Sequence, residues 1–331
     1  MQIYDIPIDE NDRETTRHGS DAFPLAVYQT QLSKNVLGYV NWHWHEELQL
    51  CRVVAGCICV RTRQAQHVLY QGQGIFLHAN TLHSIVPVAG TDGTYVCIDV
   101  HPNFLGTAPE SIIVQRYIAP FLQPDRLHTR VFSHKTPDGQ VILPLMDTVD
   151  RLYRAKPPGY EWEIWMALLG IWKQLTTMEC TDAVAPDAVD RHDDVRLRTL
   201  LTLMQQRYGE KLSLRDFADA VHLCESECCR FFKQAMGCTL FAHLLQVRIE
   251  KSIPRLLHTD LSISRIAYDC GFGSTSYFIQ RFRQRLGQTP LAFRKAARGA
   301  RDEKRRSAQM ESDAAAGAAR MAGEQGPAGS K

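Results

Sequence analysis

Two hydrophobic periods divide the chain. From Phe23 to His101, apolar and polar residues alternate over short runs, the period-two signature of strands. The runs are Leu25–Tyr28, His43–Val54, Cys57–Arg63, His67–Tyr70, Ile75–His78, His83–Pro87 and Tyr95–Val100. Turn formers separate them at Gly56, Gly72 and Gly74, Asn80 and Asp92-Gly93. Many short strands at this spacing predict an antiparallel barrel or jelly roll. Beyond them the period becomes helical. Ser111–Gln123 and Val141–Tyr153 read as amphipathic helices, and Pro157-Pro158-Gly159 is a break. Glu161–Met178 reads as a strong helix, with Ile164, Leu168, Ile171 and Leu175 at a/d-like spacing and Trp165, Leu169 and Trp172 widening the stripe. So wide a stripe serves either the chain's own core or a second copy.

The most informative stretch runs from Ile263 to Pro290. Ile263, Ile266 and Ala267 give a first helix one apolar face; Gly271 breaks it, Phe272 plugs the angle, and Ser274 caps a second helix. Phe278, Phe282 and Leu286 then face inward, which leaves Thr275, Ser276, Ile279, Gln280 and Arg283 outward. A polar face on a short basic helix, braced by its predecessor, is what the DNA major groove accepts; a helical hairpin with a solvated face is the plainer alternative. The pattern occurs twice. Ser213 to Thr239 repeats it, with Leu214, Phe217 and Ala218 on the first helix and Cys228, Phe232 and Met236 on the second. His222 stands where Gly271 stands, and Gly237 and Gly287 terminate the two second helices. The run Leu240–Leu257 between the copies would span about 27 Å as a helix. A rod of that length sets two reading helices near one DNA turn apart, about 34 Å. Pro254 falls inside it and predicts a kink.

Charge sharpens the division. The 331 residues are 44% apolar and carry a net charge of only +2. Residues 191–298 hold 18 Lys/Arg against 10 Asp/Glu, so the basic excess lies on the repeated helices and the remainder is acidic. That split suits a polyanion-binding module joined to a sensing or assembly module. Residues 1–22 are polar and read as a flexible N-terminus; 23–178 form the β-rich and dimerising domain; 179–194 form an acidic linker; 195–298 form the DNA-binding domain, opened by a helix over Val195–Tyr208; 299–331 read as disordered. The start carries no signal-peptide pattern and no run approaches the ~18 apolar residues of a membrane helix, so a cytoplasmic location and free thiols at the ten cysteines are expected.

The segments FFKQAMGCT, LLQVRIEKS and LSISRIAYDCGFGSTSYFIQRFRQRLGQTPLAFR, within residues 196–298, resemble the double helix-turn-helix domain of the AraC/XylS family of bacterial transcription regulators. Ser252, where the family usually has Ala, is a mild departure. The resemblance implies a sequence-specific regulator, activator or repressor, and places Ser226, Cys229 and Arg230, then Thr275, Ser276, Ile279 and Gln280, at base-contacting positions. By their chemistry, Arg230 suits guanine, Gln280 adenine and Ile279 a thymine methyl. Lys233, Arg281, Arg283, Arg285 and Arg294 suit phosphates.

The segments NWHWHEELQL and GQGIFLHANTLH resemble the two cupin motifs that often precede such a domain, with His43, His45 and His83 at the motif histidines. A cupin with a carboxylate there would hold Fe, Mn, Ni or Zn. Gln49, however, occupies the carboxylate position, and Glu47 lies one pleat early. The expectation is therefore no metal and no other cofactor, with His43, His45, Gln49 and His83 binding a small organic effector, and Trp42 and Trp44 packing on the opposite face. Double-stranded promoter DNA, the effector, RNA polymerase and a second copy joined through Glu161–Met178 are the expected partners. A metal-dependent cupin enzyme fused to a DNA-binding domain is the alternative.

Overall fold

The computed structural model describes residues 6–9, 13–63, 65–106, 108–123, 129–179 and 188–299. Residues 180–187, half of the expected linker, and the whole tail from residue 300 lie outside them, while residues 188–194 of that linker are helical. The described chain forms two compact units, residues 1–206 with 217–237, and residues 207–216 with 238 onward.

In the first unit, nine antiparallel strands make two sheets. One has the order β1 (Leu25–Gln31), β8 (Thr94–Val100), β3 (Leu48–Ala55), β6 (Gly74–Leu77), β9 (Arg130–Phe132). The other has the order β2 (Val40–His43), β7 (His83–Pro87), β4 (Cys57–Thr62), β5 (Gln66–Tyr70). The pleat sorts side chains to two cores. Cys51, Val53, Ile75, Tyr95 and Cys97 of the five-stranded sheet meet Val40, Ile58, Val60, Leu69 and Ile85 of the other. Leu48, Leu50, Phe76, Val96 and Ile98 point the opposite way, against helices α1 (Pro137–Ala155) and α2 (Tyr160–Glu179).

α1 begins where the Thr136 side chain accepts from Gly139 N–H, and it ends at Lys156 in a left-handed conformation, φ 45°. On α2 the whole a/d stripe, Ile164, Leu168, Ile171 and Leu175, is at most 2% exposed within the core shared with α1 and the sheet. At about 1.5–3 kcal/mol per fully buried side chain, that stripe is accounted for by the chain's own core. Among the described large apolar residues of α2, only Trp162 and Met166 remain exposed.

Three expectations need correction here. The predicted strand His43–Val54 is two strands, and residues 44–47 cross from one sheet to the other. The predicted helix Ser111–Gln123 is a single π turn, Val114–Ile118, followed by a 3-10 turn, Ala119–Leu122; Pro120 has no N–H with which to continue an α ladder. β9 was not expected at all.

The repeated helices form as expected. α3 (Ala188–Arg207) leads to α4 (Leu214–Ala220) and α5 (Glu225–Met236); α6 (Leu240–His258) leads to α7 (Ile263–Asp269) and α8 (Thr275–Leu286). The turn of the first pair places His222 at φ 55° and that of the second places Gly271 at φ 78°, the same left-handed corner. Phe217, Cys228 and Phe232 are buried in the first pair, Ile266, Phe278 and Phe282 in the second. α6 runs through Pro254 without interruption of the helix. In the second unit, Arg248 crosses back to donate from Nε to the Tyr208 carbonyl and from Nη2 to that of Glu210, each at 2.7 Å.

Candidate functional site

β2 ends at His43, which pairs directly with His83 of β7. His45 follows in the crossing segment, and its carbonyl accepts from Asn80 N–H at 2.8 Å. The three imidazoles therefore meet between the sheets: ring centroids are 4.2 Å apart for His43 and His83, 5.3 Å for His45 and His83, and 5.7 Å for His43 and His45. None is more than 4% exposed. His43 Nδ1 lies 2.8 Å from the Asn41 carbonyl and His83 Nδ1 2.8 Å from that of Thr81. A carbonyl only accepts, so both Nδ1 atoms carry the proton and both Nε2 atoms present lone pairs. Burial first, and then the neighbouring imidazoles, hold His45 and His83 well below the usual histidine range; burial also lowers His43.

A second ring of charge surrounds them, drawn from the segment expected to be loose. Glu14 N–H donates to the Trp44 carbonyl at 2.8 Å, and this anchors residues 13–18 over the cluster. Glu14 and His18 are 7% and 5% exposed. Glu14 Oε2 lies 3.5 Å from His18 Nε2 and 3.7 Å from His43 Nε2. His18 Nδ1 contacts the Tyr28 hydroxyl at 3.2 Å and Asp99 Oδ2 at 3.7 Å. Burial opposes charge on His18, but Glu14, Asp99 and Glu47 outweigh it and raise the pKa to about 9. Burial lifts Asp99 to about 7. Gln49 is buried opposite Asp99 in the β3–β8 ladder, and Glu47 Oε2 is 3.5 Å from His45 Nδ1. Beyond Glu14 and His18 a cavity of about 600 Å³ opens, lined also by Arg13, Arg17, Glu47 and His101.

Of the four residues expected here, His43, His45 and His83 are brought together, and Gln49 lies toward the Asp99 side. Sequence reasoning missed Glu14, His18, Tyr28 and Asp99. Asp99 was findable, since alternation puts it on the inward face with Tyr95 and Cys97. Trp44 does not pack in a helix-covered apolar face. Its half-buried ring lies under two guanidinium groups, Arg13 at 5.8 Å and Arg198 of α3 at 5.0 Å, and Arg198 Nη2 also donates to the Asn80 carbonyl.

On the helices, Ser226, Arg230 and Lys233 of α5 are exposed and Cys229 is half-buried. On α8, Ser276, Gln280, Arg283 and Arg285 are exposed, while Thr275 and Ile279 are half-buried. Ser276, Ile279, Gln280 and Arg283 line a shallow groove along that face. Arg281 is half-buried, stacked 5.0 Å over Tyr277 and donating to Gln284 Oε1 at 3.2 Å. Arg294 departs from the phosphate role given to it. It is 9% exposed and its Nη2 donates to the Leu261 carbonyl at 2.7 Å, so it ties the segment that follows α8 to the entry of α7.

The helix-turn-helix domain profile matches residues 217–296, and the AraC-like ligand binding domain profile matches residues 35–156. The chain is 30% identical over 288 residues to the uncharacterized HTH-type transcriptional regulator YdeC of Bacillus subtilis (strain 168), covering 87% of this chain and 97% of that protein. It is 33% identical over 103 residues to the HTH-type transcriptional activator RhaS of Enterobacter sp. (strain 638), 31% of this chain and 37% of that one. Among solved structures, apo ToxT of Vibrio cholerae strain SCE256 aligns over 84% of this chain and 98% of its own, at 13% identity and a TM-score of 0.41.

Proposed function

The chain belongs to the AraC-type helix-turn-helix transcription regulators, and from that premise we propose that α5 and α8 read promoter DNA while the polar cluster of the β-domain sets how strongly they do so. The observation that carries the reading is the repeated construction of the two helix pairs. Each has a buried apolar stripe, a left-handed corner residue and an outward face that carries exposed donors and acceptors. Ser226, Cys229 and Arg230 are assigned to one groove, and Thr275, Ser276, Ile279 and Gln280 to the next. Lys233, Arg283 and Arg285 are assigned to the flanking phosphates, with Arg281 a lesser contributor because its guanidinium is already engaged. Phosphate contacts supply affinity and base contacts supply sequence preference, so the two sets have different signatures in salt.

The effector is assigned to the buried cluster, through His43, His45, Gln49 and His83. The relatives are transcription regulators, and this reading gives the chain no reaction to catalyse. It works at promoters in the cytoplasm, where RNA polymerase is the partner it meets. Two copies join through the outer edge of α2, since the a/d stripe itself is spent on the core and Trp162 and Met166 stay exposed.

Selection of bound duplexes from a random pool tests the reading. A recovered site with two short conserved blocks one helical turn apart is expected. Recovery of unrelated sequences at equal affinity overturns it.

A further inference from the structure

We propose that Cys51 and Cys97 are a modification site, which a peroxide closes into a disulfide that clamps β3 to β8 beside the polar cluster. This goes beyond the DNA-binding reading and does not depend on it. The free thiols expected from the sequence are then the reduced form of the pair.

The strand register makes the pair. Cys51 and Cys97 are direct partners in the β3–β8 ladder. The flanking ladders fix what kind of partners they are. His101 N–H donates to the Pro24 carbonyl and Leu32 N–H to that of Gly93, at the two ends of the β1–β8 register. Antiparallel ladder bonds recur at every second residue, so the backbone groups of Cys97 turn to Tyr28 of β1. Val53 N–H donates to the Gln73 carbonyl, and the same count turns the backbone of Cys51 to Ile75 of β6. Toward each other the two cysteines are therefore a non-hydrogen-bonded pair, where Cα atoms are about 4.5 Å apart and side chains stand closest. That separation lies within the range of about 4.4–6.8 Å that a disulfide spans. Both side chains enter the core between the sheets, and their Sγ atoms meet at 2.6 Å. The other strand cysteines have different partners: Cys57 pairs with Tyr70, and Cys59 with Val68 and Val86.

The chemistry needs one co-reactant. Hydrogen peroxide oxidises one thiol to a sulfenic acid: the O–O bond breaks, an S–O bond forms, and one water leaves. The second sulphur then attacks the sulfenic sulphur, and the hydroxyl departs with the remaining thiol proton as a second water. Two thiols and one peroxide give one disulfide and two waters. A small oxidant suits the place, because Cys51 is fully buried and Cys97 only 5% exposed. Burial also holds the Cys97 thiol well above its ordinary range, so thiolate is scarce and closure is slow. One pleat along the same face, Gln49 stands opposite Asp99, whose Oδ2 lies 3.7 Å from His18 Nδ1. The bond joins the two strands that carry them. It also links positions 46 apart, a loop long enough to constrain the unfolded chain strongly.

The test holds the reduced full chain in hydrogen peroxide, unfolds it in an alkylating reagent that blocks surviving thiols, and maps the digest by mass spectrometry. Peptides containing Cys51 and Cys97 are expected joined, lighter than their sum by two hydrogens, and separable by a reductant. The melting transition followed by tryptophan emission should rise by about 5–15 °C on oxidation and return on reduction. Cys97→Ala should abolish both the joined peptide and the rise. The exposed or half-buried Cys224, Cys229 and Cys238 show that the oxidant has acted. If they are oxidised while Cys51 and Cys97 are both recovered alkylated, the proposal is overturned. A sulfinic acid on one of the pair beside a free partner overturns it as well. If the Cys97 variant does not fold, the map of the unaltered chain decides alone. A joined chain that melts no higher than the reduced one overturns the clamp.

Discussion

Gly271→Ala tests the corner on which the second reading helix depends. The residue has φ 78°, where an L side chain costs about 1–2 kcal/mol. A Cβ built there would lie 2.4 Å from the Tyr208 carbonyl oxygen and 2.9 Å from Arg248 Nε, two groups hydrogen-bonded to each other at 2.7 Å. Relieving the contact requires moving a backbone carbonyl or giving up that charged hydrogen bond, worth about 1.5–3 kcal/mol. Together the penalty is about 3–5 kcal/mol, which raises local opening of α7 and α8 by about 100-fold or more at 1.4 kcal/mol per decade. All five tryptophans precede residue 207, so their emission follows the β-domain and is expected to be unaffected. Amide exchange across 263–286 is the appropriate measurement. It should accelerate at Gly271 and Phe272, whose N–H groups donate to Tyr268 and Ala267. His222→Gly is the converse: relief of the left-handed strain less the added chain entropy should stabilise α4–α5 by about 0.5–1 kcal/mol. Wild-type exchange and unchanged DNA affinity in Gly271→Ala would refute the reasoning, because the corner would then be neither crowded nor needed.

Four more outcomes are expected. Arg230→Ala should cost about 1–3 kcal/mol on the selected site and relax preference at one base position, as read by competition with single-base variants. Arg283→Ala should weaken all sequences alike and lower the slope of log affinity against log salt by about one. Arg294→Ala should destabilise the second unit by about 1.5–3 kcal/mol, because it strips the Leu261 carbonyl of a charged donor; affinity per folded molecule should stay constant in active-fraction titrations. Trp162→Glu should leave the melting transition of the β-domain in place and halve the mass seen by light scattering.

Much of this architecture can be read from alternation. Six of the seven strand runs and all the repeated helices lie where period two and period 3.6 put them, because each buries one defined face. The failures share a different cause, which is that the deciding partner is remote in sequence. β9 is three residues long and carries too few positions to show a period. The break at 44–47 is invisible in the alternating run His43–Val54, because it is set by the two sheets needing different ends of that run. Glu14 and His18 look like solvated residues of a polar leader, and only their placement against His43 and Asp99 buries them. Arg294 reads as one more cation on a basic helix until the carbonyl of Leu261 is seen against it.

Trp44 lies between two of the clustered histidines in sequence, and Arg198, from the helix that leads into the reading heads, rests on its ring. A cation–π contact is worth about 0.5–2 kcal/mol, and thermodynamic coupling between ligand sites usually amounts to about 1–3 kcal/mol. The contact is therefore of the same size as such coupling, and under the function proposed above it is the physical link between the imidazoles on either side of Trp44 and α3.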